Sequence, residues 1–165
     1  MGKQYFLVGS SFGIEDQFDR FIRDGIWELD WHGQEEVAQY QKMLSYYDQM
    51  TEGDCIVIKS SYTKSKNLPF SNPLTVKVST MNLKMKGTIL ENCQDGHRIR
   101  VAWEQDWQEK EWYFYTNRAS IWRLNPKTNP QKVSALIDYI ETGKDQDYDW
   151  FKKQSPAFQK KANQS

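Results

Sequence analysis

Between Cys55 and Leu90 the chain has no aspartate or glutamate at all. Other shortages are as telling. Two cysteines, Cys55 and Cys93, stand far apart and form no CxxC pair, and the two histidines are His32 and His97. That donor set lacks the ligand spacing of a structural or catalytic zinc site, so no metal is expected and the thiols read as reduced and structural. No apolar run approaches the ~20 residues that a membrane-spanning helix needs, and no secretory hydrophobic segment follows Met1. A cytoplasmic protein without a membrane partner is the expectation. Phosphate-loop, zinc-protease, nucleophile-elbow and dinucleotide-binding signatures are all missing. The carboxylates Glu104, Asp106, Glu109 and Glu111 flank Trp107 in a charged stretch and read as a solvated face. Neither an enzyme nor a cofactor is expected.

What is abundant is aromatic surface and segregated charge. There are 7 Trp, 9 Tyr and 8 Phe among 165 residues, many beside charged residues rather than inside apolar runs. Net charge is zero, yet Glu15 to Asp54 carries eleven acidic residues against three basic ones. The acid-free stretch then holds Lys59, Lys64, Lys66, Lys77, Lys84 and Lys86. One exclusively basic block in a neutral chain is the pattern of a surface facing a polyanion, so these lysines are the phosphate-binding candidates.

The periodicities predict an apolar strand over 4–8, a short helix from Glu15 to Arg23 ended by Gly25, and a second helix from about Gln34 to Met50. The helical stripe of the second is Val37, Tyr40, Leu44 and Tyr47. Cys55–Ile58 reads as a buried strand, and 64–73 as a loop. Alternation resumes at Leu74, with a change of parity between Val78 and Met81 that predicts a bulge. Asp95-Gly96 signals a hairpin into Ile99, Val101 and Trp103. Trp112–Tyr115, aromatic on both faces, reads as a central strand, and Ile121–Leu124 as the last one. Asn129-Pro130 opens a helix that Gly143 closes. The expected domain is 1–143, and 144–165 reads as a polar tail or linker on which Tyr148, Trp150 and Phe151 can dock back. The fold class is α+β: five or six mostly antiparallel strands in a small, strongly bent sheet or barrel, flanked by about three helices.

The opening, Tyr5-Phe6-Leu7-Val8 to Ser10, the helix starting at Glu15-Asp16, and Gly25-Ile26-Trp27, resembles YTH domains. The Gly53-Asp54 turn before an apolar strand resembles the wider PUA-like superfamily, which includes EVE domains. Ile58-Lys59-Ser60-Ser61-Tyr62, the Leu68-Pro69-Phe70 loop, and Glu111–Tyr115 through Ile121-Trp122-Arg123 are similar to the N-terminal domains of McrB-type restriction proteins, EVE-like modules that precede an AAA+ GTPase motor. Together the segments span about residues 4 to 150. The resemblance implies a PUA-like barrel that flips a modified base of DNA into an aromatic cage, with a motor and nuclease subunit as partners. Two departures stand out: these residues carry no motor, so the recognition domain alone is the expectation, and Gly9 replaces the lysine usual in YTH domains.

The candidate pocket comprises Ser10, Ser11, Phe12, Trp27, Trp31, Ser60, Tyr62, Trp107 and Tyr115. Trp27 is taken as cage wall, Trp107 as lid or wedge, Tyr62 as a stacking ring, and the serines as hydrogen-bond partners of a base edge. Trp103 and Trp122 follow strand alternation and read as core. Rival readings are a YTH-type reader of methylated single-stranded RNA, a protein-interaction domain, and an ASCH-like nuclease.

Overall fold

The computed structural model describes residues 2–30 and 38–159. In chain order the elements are β1 (Tyr5–Val8), β2 (Ser11–Phe12), β3 (Glu15–Asp16), α1 (Phe18–Asp24), β4 (Ile26–Glu28), α2 (Ala38–Gln49), β5 (Cys55–Lys64), β6 (Val78–Asn92), β7 (Arg98–Trp103), β8 (Lys110–Tyr113), β9 (Ile121–Arg123), α3 (Pro130–Thr142) and α4 (Tyr148–Gln154). A further helical turn begins at 156. The fold is α+β, built on one strongly curled half-barrel sheet. Its strand order is β4-β7-β6-β5-β1-β9, with β8 pairing to the other half of β6, and β2 and β3 form a separate small hairpin.

The sheet buries both faces. Phe6, Val8, Ile56, Ile58, Ile89, Ile99 and Val101 pack against α1 and α2 through Phe21, Tyr40, Met43 and Tyr47. Leu7, Cys55, Val57, Met81, Leu83 and Trp112 pack against α3 and α4 through Val133, Leu136, Ile140 and Phe151. Period-2 alternation therefore feeds two cores from the same strands, because successive side chains leave a strand on opposite faces. No described helix is long and apolar enough to cross a membrane.

Two expectations need correction. No register shift separates Val78 from Met81; Val78, Thr80 and Met81 are all buried because that stretch of β6 is covered on both faces. The irregularities lie opposite Ile58/Lys59, where β6 accommodates the extra residue Lys84, and at Leu90. The run 112–115 is not a central strand either. β8 pairs only with β6 and stops at Tyr113, since Phe114 takes φ 75° in a tight turn closed by Tyr115 N–H to the Tyr113 carbonyl at 2.9 Å.

The chain beyond Gly143 is not simply a polar tail. Phe151 is 2% exposed and stands edge-on to Trp112, with ring centroids 5.3 Å apart. Gln146 bonds both sides of Tyr113, accepting from its N–H at 3.1 Å and donating to its carbonyl at 2.6 Å. Residues 144–159 thus complete the second core.

Gly87 lets β6 run close under β7. A Cβ built there lies 2.5 Å from Val101 Cγ1, 2.7 Å from Trp103 Cε3 and 2.9 Å from the Ala102 carbonyl. Gly87→Ala is expected to cost about 1–3 kcal/mol by overpacking, measured as a lowered urea midpoint with unchanged m-value.

Candidate functional site

Among the described residues β1 and β5 are the one parallel pair of the main sheet, in the register Val8↔Ile58. β1 ends at Val8, so the shared register sets the hydroxyl-rich segment Gly9–Ser11 that leaves it beside Lys59–Ser61 in the middle of β5, which continues to Lys64. The loop before β9 closes the third side: Gly9 N–H donates to the Ser120 carbonyl at 3.0 Å, and Ser61 Oγ to the Asn117 carbonyl at 2.9 Å. The result is a cleft of about 340 Å³ lined by Gly9–Ser11, Asp16, Lys59–Ser61, Lys84 and Arg118–Ser120. Its size lies at the small end of the range for ligand pockets.

Lys59 is only 4% exposed. Its Nζ donates to the Ala119 carbonyl at 2.9 Å, and its pKa is pushed down to about 8, first by burial and then by the Arg118 guanidinium. Asp16 behaves oppositely. Burial works against its charge, but hydrogen bonds from Ser10 Oγ (2.9 Å), Phe18 N–H (3.0 Å) and Lys84 (3.2 Å) hold its carboxyl below the usual range. Lys84 Nζ also sits 4.5 Å from the centre of the Phe18 ring. Arg118 is exposed and donates to the Ser61 carbonyl at 3.3 Å.

Ser10, Ser11, Ser60, Lys59 and Lys84 are therefore brought together, and the expected aromatics are not. Trp27 is 1% exposed within the first core, so it is no open wall in this conformation; its indole N–H donates to the Gly9 carbonyl at 2.8 Å. Phe12 stands 6.0 Å and edge-on to Phe21, with the Arg20 guanidinium 5.8 Å from its ring. Tyr62 donates its hydroxyl to Glu111. Trp107 donates to the Leu83 carbonyl at 3.1 Å, under the Lys110 ammonium. Tyr115 packs edge-on to Trp122 at 5.1 Å. None of these rings lines the cleft. Trp31 lies outside the described residues.

The lysine block also divides. Lys64 pairs with Glu111 at 2.8 Å, and Lys86 with Glu141 at 2.7 Å and Glu104 at 3.0 Å. Those two are neutralised by acids from other elements and are not a free phosphate stripe. Lys66 and Lys77 are exposed and form no ion pair among the described residues. Arg118, Asp16 and Ser120 are cleft residues that sequence reasoning missed. Asp16 ends the two-residue strand β3, and Arg118 and Ser120 sit in the loop before β9; their local composition carries no site signal, and only the β1–β9 pairing brings Arg118 and Ser120 near Ser10.

A larger groove of about 730 Å³ runs beside α2 and β7. It presents Asp48, Glu52 and Glu91 against Arg100 and gathers none of the expected residues. No family model, curated protein or solved structure matches the chain.

Proposed function

We propose that the chain is a non-enzymatic nucleic-acid-binding module, PUA-like in kind, that receives one extruded nucleotide carrying a modified base, on DNA, in the strand-end cleft. The observation that carries this reading is the convergence of Gly9–Ser11 and Lys59–Ser61 with Lys84 and Arg118 in one pocket. Hydroxyls and cationic donors at a confined site suit the edge of a base and its flanking phosphate. Extrusion costs a few kcal/mol, which hydrogen bonds and charge must offset where no described ring stacks. Trp27 contributes by holding the Gly9 carbonyl next to Ser10. In a modification-dependent restriction system such a module would target an AAA+ GTPase motor and nuclease subunit, a partner assignment that rests on the resemblance to McrB-type domains.

The test is fluorescence anisotropy with plain, methylated and hydroxymethylated duplexes and with methylated single-stranded RNA, all at equal salt. Tighter binding of one modified duplex is expected; preference for the RNA would make the protein a YTH-type RNA reader, and no binding to any would leave a protein-interaction domain. Counter-ion release gives a log–log salt slope of about −0.9 per phosphate contact. Arg118→Gln should flatten the slope by about one such contact, whereas Lys86→Gln, whose ammonium is already paired, should leave it unchanged.

A further inference from the structure

We propose that the deepest part of the cleft is an oxyanion seat, with the Lys59 ammonium as counter-charge and Arg118 and the Ser11 and Ser60 hydroxyls around it. The identity of the polymer rests on the reading above; the anion does not.

The case begins with charge balance. Four charged side chains line the cleft: Lys59, Arg118, Lys84 and Asp16. Lys84 and Asp16 offset each other at 3.2 Å. Lys59 and Arg118 have no acidic partner among the described residues, which leaves two positive charges unmatched. For Arg118, in water, that is ordinary. For Lys59 it is not, because a buried ammonium without a counter-ion is costly. An ammonium carries three donors, and among the described residues the single acceptor of Lys59 is the neutral Ala119 carbonyl at 2.9 Å. Ser11 and Ser60 are exposed at the cleft and make no side-chain hydrogen bond among the described residues. Buried amine, exposed guanidinium and hydroxyls without a side-chain partner together form the donor set of a carboxylate or phosphate oxygen, where charge-assisted bonds are short and strong.

Two sources supply that chemistry: the phosphodiester flanking an extruded nucleotide, or a carboxyl group on the base itself. Either one restores the charged state of Lys59, so above about pH 8 binding takes up a proton and affinity falls by up to about tenfold per pH unit. The free protein shows the mirror image. Because the folded pKa is depressed from 10.5 to about 8, the unfolded chain holds more protons between those values, and Lys59's share of stability grows as pH rises through that window.

The experiment is calorimetric titration of the whole chain and of Lys59→Met with inorganic phosphate, a duplex bearing one carboxylated cytosine, and a duplex bearing one methylated cytosine. It is run at about pH 7 and about pH 9 in buffers of different ionisation heat, which report proton uptake. Lys59→Met removes a buried charge but also the donor of the Ala119 carbonyl, so melts of both proteins first establish that the variant is folded. Expected for wild type is proton uptake at the higher pH, with at least a tenfold loss of affinity in Lys59→Met. If both duplexes show it, the seat holds the phosphodiester; if only the carboxylated duplex does, it holds the base substituent. Phosphate binding with proton uptake but no duplex binding would keep the seat and end the nucleic-acid reading. Duplexes bound equally by wild type and Lys59→Met, without proton uptake, would overturn the seat and leave that reading standing. No binding of phosphate or of either duplex would overturn both.

Discussion

Trp27→Ala is expected to lose about 3–5 kcal/mol of stability, the cost of emptying a buried tryptophan site. The ring is 1% exposed in the core that holds Phe6, Phe21 and Ile99. Denaturant melts will measure it. The informative companion is Trp27→Phe, which keeps apolar bulk but removes the N–H that the Gly9 carbonyl accepts at 2.8 Å. Leaving that carbonyl unpaired should cost about 1–3 kcal/mol. It should also weaken discrimination between modified and plain duplexes, because Gly9 leads into Ser10 and Ser11. A folded Trp27→Phe protein with full discrimination would show that the indole packs the core without positioning the cleft.

Ending the chain after Gly143 should be just as damaging. It removes Phe151, whose loss alone is worth about 3–5 kcal/mol, and Gln146, which satisfies both backbone groups of Tyr113. Trp112, now 0% exposed, would lose its edge-on partner. At about 2–4 °C per kcal/mol for a chain of this size, the midpoint should fall by roughly 6–20 °C. Circular dichroism melts of the two lengths decide it: equal midpoints would show that residues 144–159 add nothing to the fold.

These two sites also mark where local pattern stops informing. Ile99, Val101 and Trp103 alternate with Arg98, Arg100 and Ala102, and β7 buries that set because one face meets α1 and α2. Gly25 and Gly143 end their helices in left-handed conformations, as their place after each apolar stripe indicates. The direction of Trp27 was not legible. A tryptophan behind Gly-Ile reads alike as wall or core, and only the pairing of β4 with β7 turns it inward. The aromatic run at 112–115 misled because strand propensity is local, whereas the turn at Phe114 is fixed by its N–H donating to the Ser79 carbonyl at 2.8 Å. Lysine composition misled in the same way. The acids that neutralise Lys64 and Lys86 arrive from β8, from the turn after β7 and from α3, far outside any window. The serine segments were legible as candidates, since hydroxyls directly after apolar strands are unusual core material. Their meeting depends on a parallel pairing that no local pattern encodes.

The sheet's double burial has a dynamic corollary. β1 supplies Leu7 to one core and Phe6 and Val8 to the other, and β5 divides Cys55 and Val57 from Ile56 and Ile58 in the same manner. Neither helical layer can detach without wetting strands on which the opposite layer also depends, so the two halves should melt as one cooperative unit. Amides of β1 and β5 should then exchange with deuterium only through global opening, among the slowest in the molecule. The cleft lies at the end of β1 and beside the middle of β5. Its occupant would therefore add its binding free energy to the whole sheet, and slower exchange would be seen as far away as β7.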